Sequence, residues 1–413
     1  MAELKKKFVE EIQNLLSRYV EADEVNGFIK KFEAKNSTKN TSKDVINNFY
    51  AQQLKIEYSF GQDRMQIDRT ITFAQKNLSK EYYLDLLNKL AQLCISYGKL
   101  SFAAEILNKL IKQSDSDKEI AESYLLLSDV YSRRANWNKS INALEKANDL
   151  FLKSGNQNGN SRCENMLGVI YGEKGNPTEA QIHFERCLDL LSRGEERELV
   201  ASVESNLGII KNIQGKYDEA LFCFEKALLY FESMNNFRRI AEIRLNIGML
   251  YYSKAEYELA LEQIDISICI ALDKKLMPVL ALSYLSKANL LVAMNEIESA
   301  LIFADKALEI SHLIDDKLSI ADIYRTKSLI ERKIKNFRQA ENYLQSSLRI
   351  NSNSGNNLNC AEGKKELGEL YGDMELKAEK ERMLNESLNQ YRELNIVDAA
   401  KKVESMLSMP SVE

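Results

Sequence analysis

Apolar residues in this chain fall at helical spacing, and the helical pattern itself recurs. Written in rows of forty from residue 121, the segments NMLGVIYGEKGNPTEAQIHFERCL, SNLGIIKNIQGKYDEALFCFEKAL and LNIGMLYYSKAEYELALEQIDISI come into register. A small residue returns at Ser128, Gly168, Gly208, Gly248, Ala288, Ser328 and Gly368. Twelve residues on stands a second, at Ser140, Ala180, Ala220, Ala260, Ala300 and Ala340. Four further come Leu144, Phe184, Phe224, Ile264, Ala304 and Leu344, and three after those Ala147, Cys187, Ala227, Ser267, Ala307 and Ser347.

Small residues at this interval place two successive helices in close crossing, and the bulkier positions fill the space towards the next pair. The turns between helices are polar or carry glycine: GEKGNP, NIQGKY, SKAEY. Pro177 suits the first turn of a helix, where its missing N–H costs no hydrogen bond. One such pair cannot bury its own apolar face, so neighbours must stack.

The pattern loosens at both ends. Ala91, with Ala103, Leu107 and Leu110 behind it, marks one looser unit, and residues from Asp44, an expected N-cap, to Ala74 mark another. Residues 1–40 read as a separate N-terminal hairpin and link. Phe8, Ile12, Leu15, Leu16 and Tyr19 fall on one helix, Val25, Phe28, Ile29 and Phe32 on a second, and the polar KNSTKNTSKD follows, which suggests loose attachment. Residues 41–410 form the array. Within it 375–410 read as a cap, because Lys377 and Lys380 stand where an aromatic and an alanine are expected and a last amphipathic helix runs from Val397 to Met409.

Leu167-Gly168, Tyr171, Ala180 and Phe184, and again Leu207-Gly208, Tyr217, Ala220, Phe224 and Ala227, make the chain resemble the tetratricopeptide repeat family. Trp137 and Phe337 share the place of Tyr217 and Tyr257. The family's usual period is 34; the period of forty resembles the variants in kinesin light chains, spindle-orientation scaffolds and the Rap-type regulators of bacilli. The resemblance implies an all-α fold: a right-handed α-solenoid of about nine helix pairs, with the N-terminal hairpin and the C-terminal capping helix.

Composition narrows the chemistry. The chain has 413 residues, of which 28% are charged and 45% hydrophobic, with three prolines, two histidines and a net charge of −5. An acidic chain is a poor phosphate neutraliser, so nucleic acid is disfavoured. No apolar run is long enough for a membrane span, and the N-terminal sequence is no signal peptide. The six cysteines have no paired spacing, which fits buried thiols in the cytoplasm. No phosphate loop or nucleophile motif appears, and His183 and His312 stand alone, as expected of partly exposed helical residues without metal partners. The reading is of a non-enzyme with no cofactor and no metal, and nothing in the pattern indicates a homo-oligomer.

The family's first helices line a concave groove, and the resemblance implies that residues two, five, nine and twelve of each row face it. The groove then grades from Glu122 and Asp129, through an apolar middle of Leu245, Met249, Tyr252, Leu282, Leu285 and Val292 with Asn289 beside it, to Arg325 and Arg332. Exposed apolar patches mark interaction sites. Asn206 and Asn246, one row apart, offer a donor and an acceptor each, and the resemblance implies a ladder gripping the amides of an extended peptide. Surface asparagines bonded to their own helix are the plain alternative. Two functional readings follow: a non-catalytic scaffold holding a partner's peptide or helix in the groove, or a Rap-like regulator whose superhelix closes on a peptide and controls a partner through residues 1–40.

Overall fold

The structure is a computed structural model that describes residues 2–20, 48–134, 136–191, 196–314, 316–394 and 396–408. The described residues form nineteen helices. The chain divides into two units, Met1–Ser123 and Tyr124–Glu413.

The first unit holds α1 (Ala2–Leu16), α2 (Asn48–Asn77), α3 (Lys80–Ser96) and α4 (Leu100–Gln113). Phe8, Ile12 and Leu16 of α1 are buried as their spacing predicts. Loose attachment is not what α1 shows. The Phe8 ring lies 5.1 Å from that of Tyr97, the Lys99 ammonium sits 4.7 Å above Phe8, and the Tyr19 hydroxyl donates to Asp85 at 2.6 Å. Helix α1 is therefore a packed part of its unit. The second helix expected near Val25, and the N-cap expected at Asp44, lie outside the described residues. Where the sequence suggested a looser repeat up to Ala74, α2 is one helix of 30 residues. Ile67, Ile71 and Ala74 form its buried stripe, and no proline interrupts it. Ala91, Ala103, Leu107 and Leu110 meet between α3 and α4, all buried.

Helix α5 (Asp117–Arg133) opens the regular array. With it pairs α6 (Trp137–Lys153), and the pairs continue as α7 (Gln157–Glu173) with α8 (Pro177–Leu190) and α9 (Arg197–Ile213) with α10 (Tyr217–Ser233). Then come α11 (Phe237–Ser253) with α12 (Tyr257–Asp273), α13 (Met277–Ala293) with α14 (Ile297–Leu313), α15 (Lys317–Lys333) with α16 (Phe337–Ser354), and α17 (Asn357–Asp373) with α18 (Lys377–Glu393). Helix α19 (Val397–Ser408) ends the series. Counting α3 with α4, eight pairs are described, with α2 as a single helix ahead of them.

The small residues sit where the pairs cross. Ser128 and Ser140 hydroxyls are 3.0 Å apart, and a β-carbon added to Gly208 would lie 2.7 Å from the Phe224 ring. Asparagine N-caps at 136, 156, 176, 236 and 356 accept the backbone N–H three residues on, which satisfies a donor that the first helical turn leaves open. At the far end Ala400 and Val403 of α19 cover Leu384, Leu388 and Tyr391 of α18, while Lys377 is exposed.

Candidate functional site: an accessible stripe on the first helices

Each first helix of the second unit presents one face away from its pair. Four residues per three turns lie on such a face, and two choices of phase fit a period of 3.6. The sequence favoured positions two, five, nine and twelve. The structure makes positions two, six, nine and thirteen the more accessible set instead, half-buried or exposed apart from Ser202 and Thr326, a rotation of about one residue at the middle of the helix. Leu245 and Leu285, at position five, are 7% exposed and share one core cluster with Ile264 and Tyr284. Val292, at position twelve, is buried against Ala288, Leu291 and Ile330. These three residues are packing between adjacent first helices, not open surface. Tyr252 is half-buried on the same core, its ring 6.1 Å from Tyr257.

What remains accessible is a narrower apolar band. Ile209 is 37% exposed, Ile213 62%, Leu282 43% and Leu329 40%, with Met249 and Val169 half-buried among them. Asn206 and Asn246, at position six, lie on the band and are half-buried. The Asn206 amide donates to Asn165 at 3.0 Å, which leaves its carbonyl oxygen as an acceptor. Asn289 is engaged: its side-chain oxygen accepts from the Thr326 hydroxyl at 2.7 Å.

The basic end is neutralised from within. Arg325 donates through two nitrogens to Glu366, at 3.1 and 2.6 Å, and a third lies 2.7 Å from Glu362. Burial works to lower the Arg325 guanidinium, but the Glu366 and Glu362 charges outweigh it and raise it overall. Arg332 donates to Glu369 at 2.8 Å and also to Asp373. The basic end that the sequence placed at Arg325 and Arg332 is thus occupied by α17's own carboxylates. Beside it a cavity of about 720 Å³ is lined by Leu329, Arg332, Lys333, Lys335, Phe337 and Asp373.

Two carboxyls on this face titrate unusually high. Glu173 is exposed on this face, yet the protein packed around it desolvates its carboxyl and pushes it up to about 7, against the hydrogen bond from Ser132, whose hydroxyl donates at 3.0 Å. Burial pushes Asp322 up to about 7 as well. Arg325 opposes the shift, and Glu362, Asp316 and Glu366 add to it. Position thirteen, with Glu173 and Ile213, escaped the sequence reading; the alternative helical phase was the only signal for it.

Elsewhere the chemistry is sparse. His183 is buried rather than partly exposed, with Nδ1 2.7 Å from Glu164 and the ring stacked on Tyr171. Among the described residues no cluster of histidine, cysteine and carboxylate could hold a metal ion, and no helix is long and apolar enough to cross a membrane. Five cysteines are buried and Cys269 is exposed; burial pushes the Cys94 and Cys187 thiols up to about 12.

The family description Tetratricopeptide repeat matches residues 119–193, the span from α5 to just past α8. Those residues are tetratricopeptide repeats. The tetratricopeptide-like pairing of helices continues through α18 with the same crossings. Among solved structures, a Rap protein complexed with competence and sporulation factor is similar at 17% identity, covering 86% of this chain and 99% of that one, with a TM-score of 0.56. The APC/C hetero-tetramer Cut9–Hcn1 is similar at 16% identity over 82% of this chain and 59% of the other, with a TM-score of 0.54. The apo form of the quorum sensor NprR from B. thuringiensis is similar at 18% identity over 84% and 99%, with a TM-score of 0.50. At such identities the likeness is one of fold. No curated protein matches the chain in sequence.

Proposed function

We propose that the protein is a non-catalytic interaction scaffold that binds a peptide or helix of a protein partner along the accessible stripe of its first helices, in the cytoplasm. One observation carries this reading. Ile209, Met249 and Leu282 present apolar surface beside two amides, Asn206 and Asn246, spaced one repeat apart. Apolar contact supplies affinity, and a side-chain amide reads a peptide backbone through its paired donor and acceptor. The absence of a nucleophile motif in the sequence supports a binding role, and six thiols outside disulfides fit a reducing compartment.

The test is a peptide selected from a random library against the whole chain, measured against variants. Asn206→Ala with Asn246→Ala, and separately Met249→Asp, should weaken it while leaving the melting temperature within a degree or two. Leu285→Asp is no test of the stripe, because Leu285 belongs to the core. Equal affinity in all three proteins, with binding lost only when residues 1–20 are removed, would place the site on the first unit.

A second reading, a peptide-responsive regulator acting through residues 1–40, is supported by the firm packing of α1 around Phe8. That packing gives a change in the first unit a route to the N-terminal helix.

A further inference from the structure

Six described rows of the array place a turn at the same point, fifteen residues in. Gly175 and Gly215 occupy it at φ +81° and +74°, and Ala255, Asn295, Lys335 and Glu375 adopt the same left-handed backbone at +59° to +65°. The conformation therefore does not by itself demand glycine in this chain. Gly215, Ala255, Asn295, Lys335 and Glu375 are exposed; among the described residues at this place only Gly175 is buried. What covers it comes from more than four rows later. A β-carbon on Gly175 would stand 2.7 Å from both Cβ and Cδ2 of Leu358, at the start of α17, whereas one on Gly215 would meet nothing within 4 Å.

A second approach lies beside the first. Trp137 is 4% exposed, while Pro177, Tyr217, Tyr257, Ile297, Phe337 and Lys377, at the same place in later rows, are half-buried or exposed. A β-carbon on Gly355, three residues before Leu358, would lie 3.9 Å from the Trp137 ring. Both approaches join the α6–α8 edge to the α16–α17 turn, and both lie within the second unit. The same proximity brings the Asp316 charge within reach of Glu173.

We propose that Gly175 and Trp137 with Gly355 and Leu358 form a seam that closes the second unit on itself and controls access to the stripe on its first helices. The proposal concerns regulation of the site proposed above, and so rests on that reading for its purpose; the seam itself rests on these contacts alone. Glycine at 175 is what lets Leu358 approach. A larger residue there holds the edges apart, and the stripe between them opens to bulky solutes.

The experiment compares Gly175→Asn with Gly215→Asn in the full chain. Asn295 already holds the required backbone, so the two variants share the small backbone cost and differ only in Leu358. Gly175→Asn should raise the radius of gyration in small-angle scattering, and Gly215→Asn should leave it at the parent value. In a Met249→Cys, Cys269→Ser background, a polyethylene-glycol maleimide should label residue 249 severalfold faster with Gly175→Asn than with Gly215→Asn. As a positive arm, Gly175→Cys with Leu358→Cys and Cys269→Ser should form an intramolecular disulfide on mild oxidation, since losing the bulk of Leu358 lets the edges part by the roughly 1 Å that separates the 2.7 Å between the two β-carbon positions from the ~3.8 Å a disulfide spans. The remaining thiols are buried. A folded Gly175→Asn protein with the parent's scattering and labelling rate, together with a cysteine pair that stays reduced, would overturn the seam. A disulfide that forms while labelling is unaffected would overturn its control of access. None of these readouts uses a peptide, so failure of the stripe as a binding site would appear separately, as unchanged affinity in the asparagine variants.

Discussion

Helices α9 and α11 on one side, and α15 and α17 on the other, present the same helix positions on the same kind of face, yet they use them oppositely. Between α15 and α17, Arg325 and Arg332 tie the two first helices together through Glu362, Glu366, Glu369 and Asp373. Between α9 and α11, Ser205 and Asn212 hold the places of the two arginines, and Asn246 and Met249 those of Glu366 and Glu369; Ile209, Ile213 and the two asparagines at 206 and 246 leave apolar and amide surface accessible. A repeat array must hold adjacent first helices together everywhere. Where charged pairs do this on the accessible face, little is left for a partner. Where buried leucines do it, as Leu245 and Leu285 do, the accessible face is released for binding.

The largest effect expected from disturbing this arrangement lies beneath both regions, at the helix crossings. Gly208→Leu places a side chain where even a β-carbon would be 2.7 Å from Phe224. The expected loss is about 3 kcal/mol, the upper part of the range for overpacking, seen as a lower denaturation midpoint; a midpoint equal to the parent's would show that the pair opens freely there.

Next in size is the stitched end. Arg325→Ala strands Glu362 and Glu366 on a side of α17 where the arginine side chain was only 20% exposed. A cost of about 1–3 kcal/mol is expected, between the values for exposed and fully buried pairs. Asn246→Ala, on the open side, should change stability by less than ~0.5 kcal/mol. Similar losses from the two substitutions would erase the distinction between the regions.

On the open side the asparagines should matter for binding rather than folding. Losing both should weaken the selected peptide about five- to a hundredfold, from ~0.5–1.5 kcal/mol per hydrogen bond. Arg332→Ala, at the stitched end, should leave affinity for that peptide near the parent's.

The smallest effect is on pH dependence. Glu173 and Asp322 bind protons more tightly in the folded chain, at about 7, than carboxyls do when unfolded. Their stabilising contribution is present in full below about pH 4 and is lost as pH rises through 7, since the folded state then has to ionise groups it holds poorly. Both carboxylates keep some contact with solvent, so the change should stay under ~1 kcal/mol. Glu173→Gln with Asp322→Asn should flatten the fall in melting temperature between pH 5 and 8; an unaltered slope would show that neither group carries it.

Most of the architecture was legible because it rests on local, repeated constraints. A residue at Gly168, Gly208 or Gly248 has to be small wherever two helices cross, and a polar or left-handed turn has to follow at a fixed distance. Those requirements recur every forty residues and can be counted along the chain, as can the buried face of α1 and the capping role of α19. The groove was legible only in outline. Positions two, five, nine and twelve satisfy a helical period as well as two, six, nine and thirteen do, and Leu245 looks the same in sequence whether it faces a neighbour or solvent. Arg325 likewise reads as a free cation until Glu362 and Glu366, forty residues on, are seen beside it.

Across the regular array the sequence by itself determined the helices, their pairing and their order, because each follows from contacts between residues close along the chain. Only the tertiary structure decided which face of the first helices stays open, that the basic end is neutralised, and that Gly175 lies under Leu358. Each of these depends on the angle at which one pair stacks on the next. Small rotations at each stacking step add up over several repeats, and no single repeat records their sum.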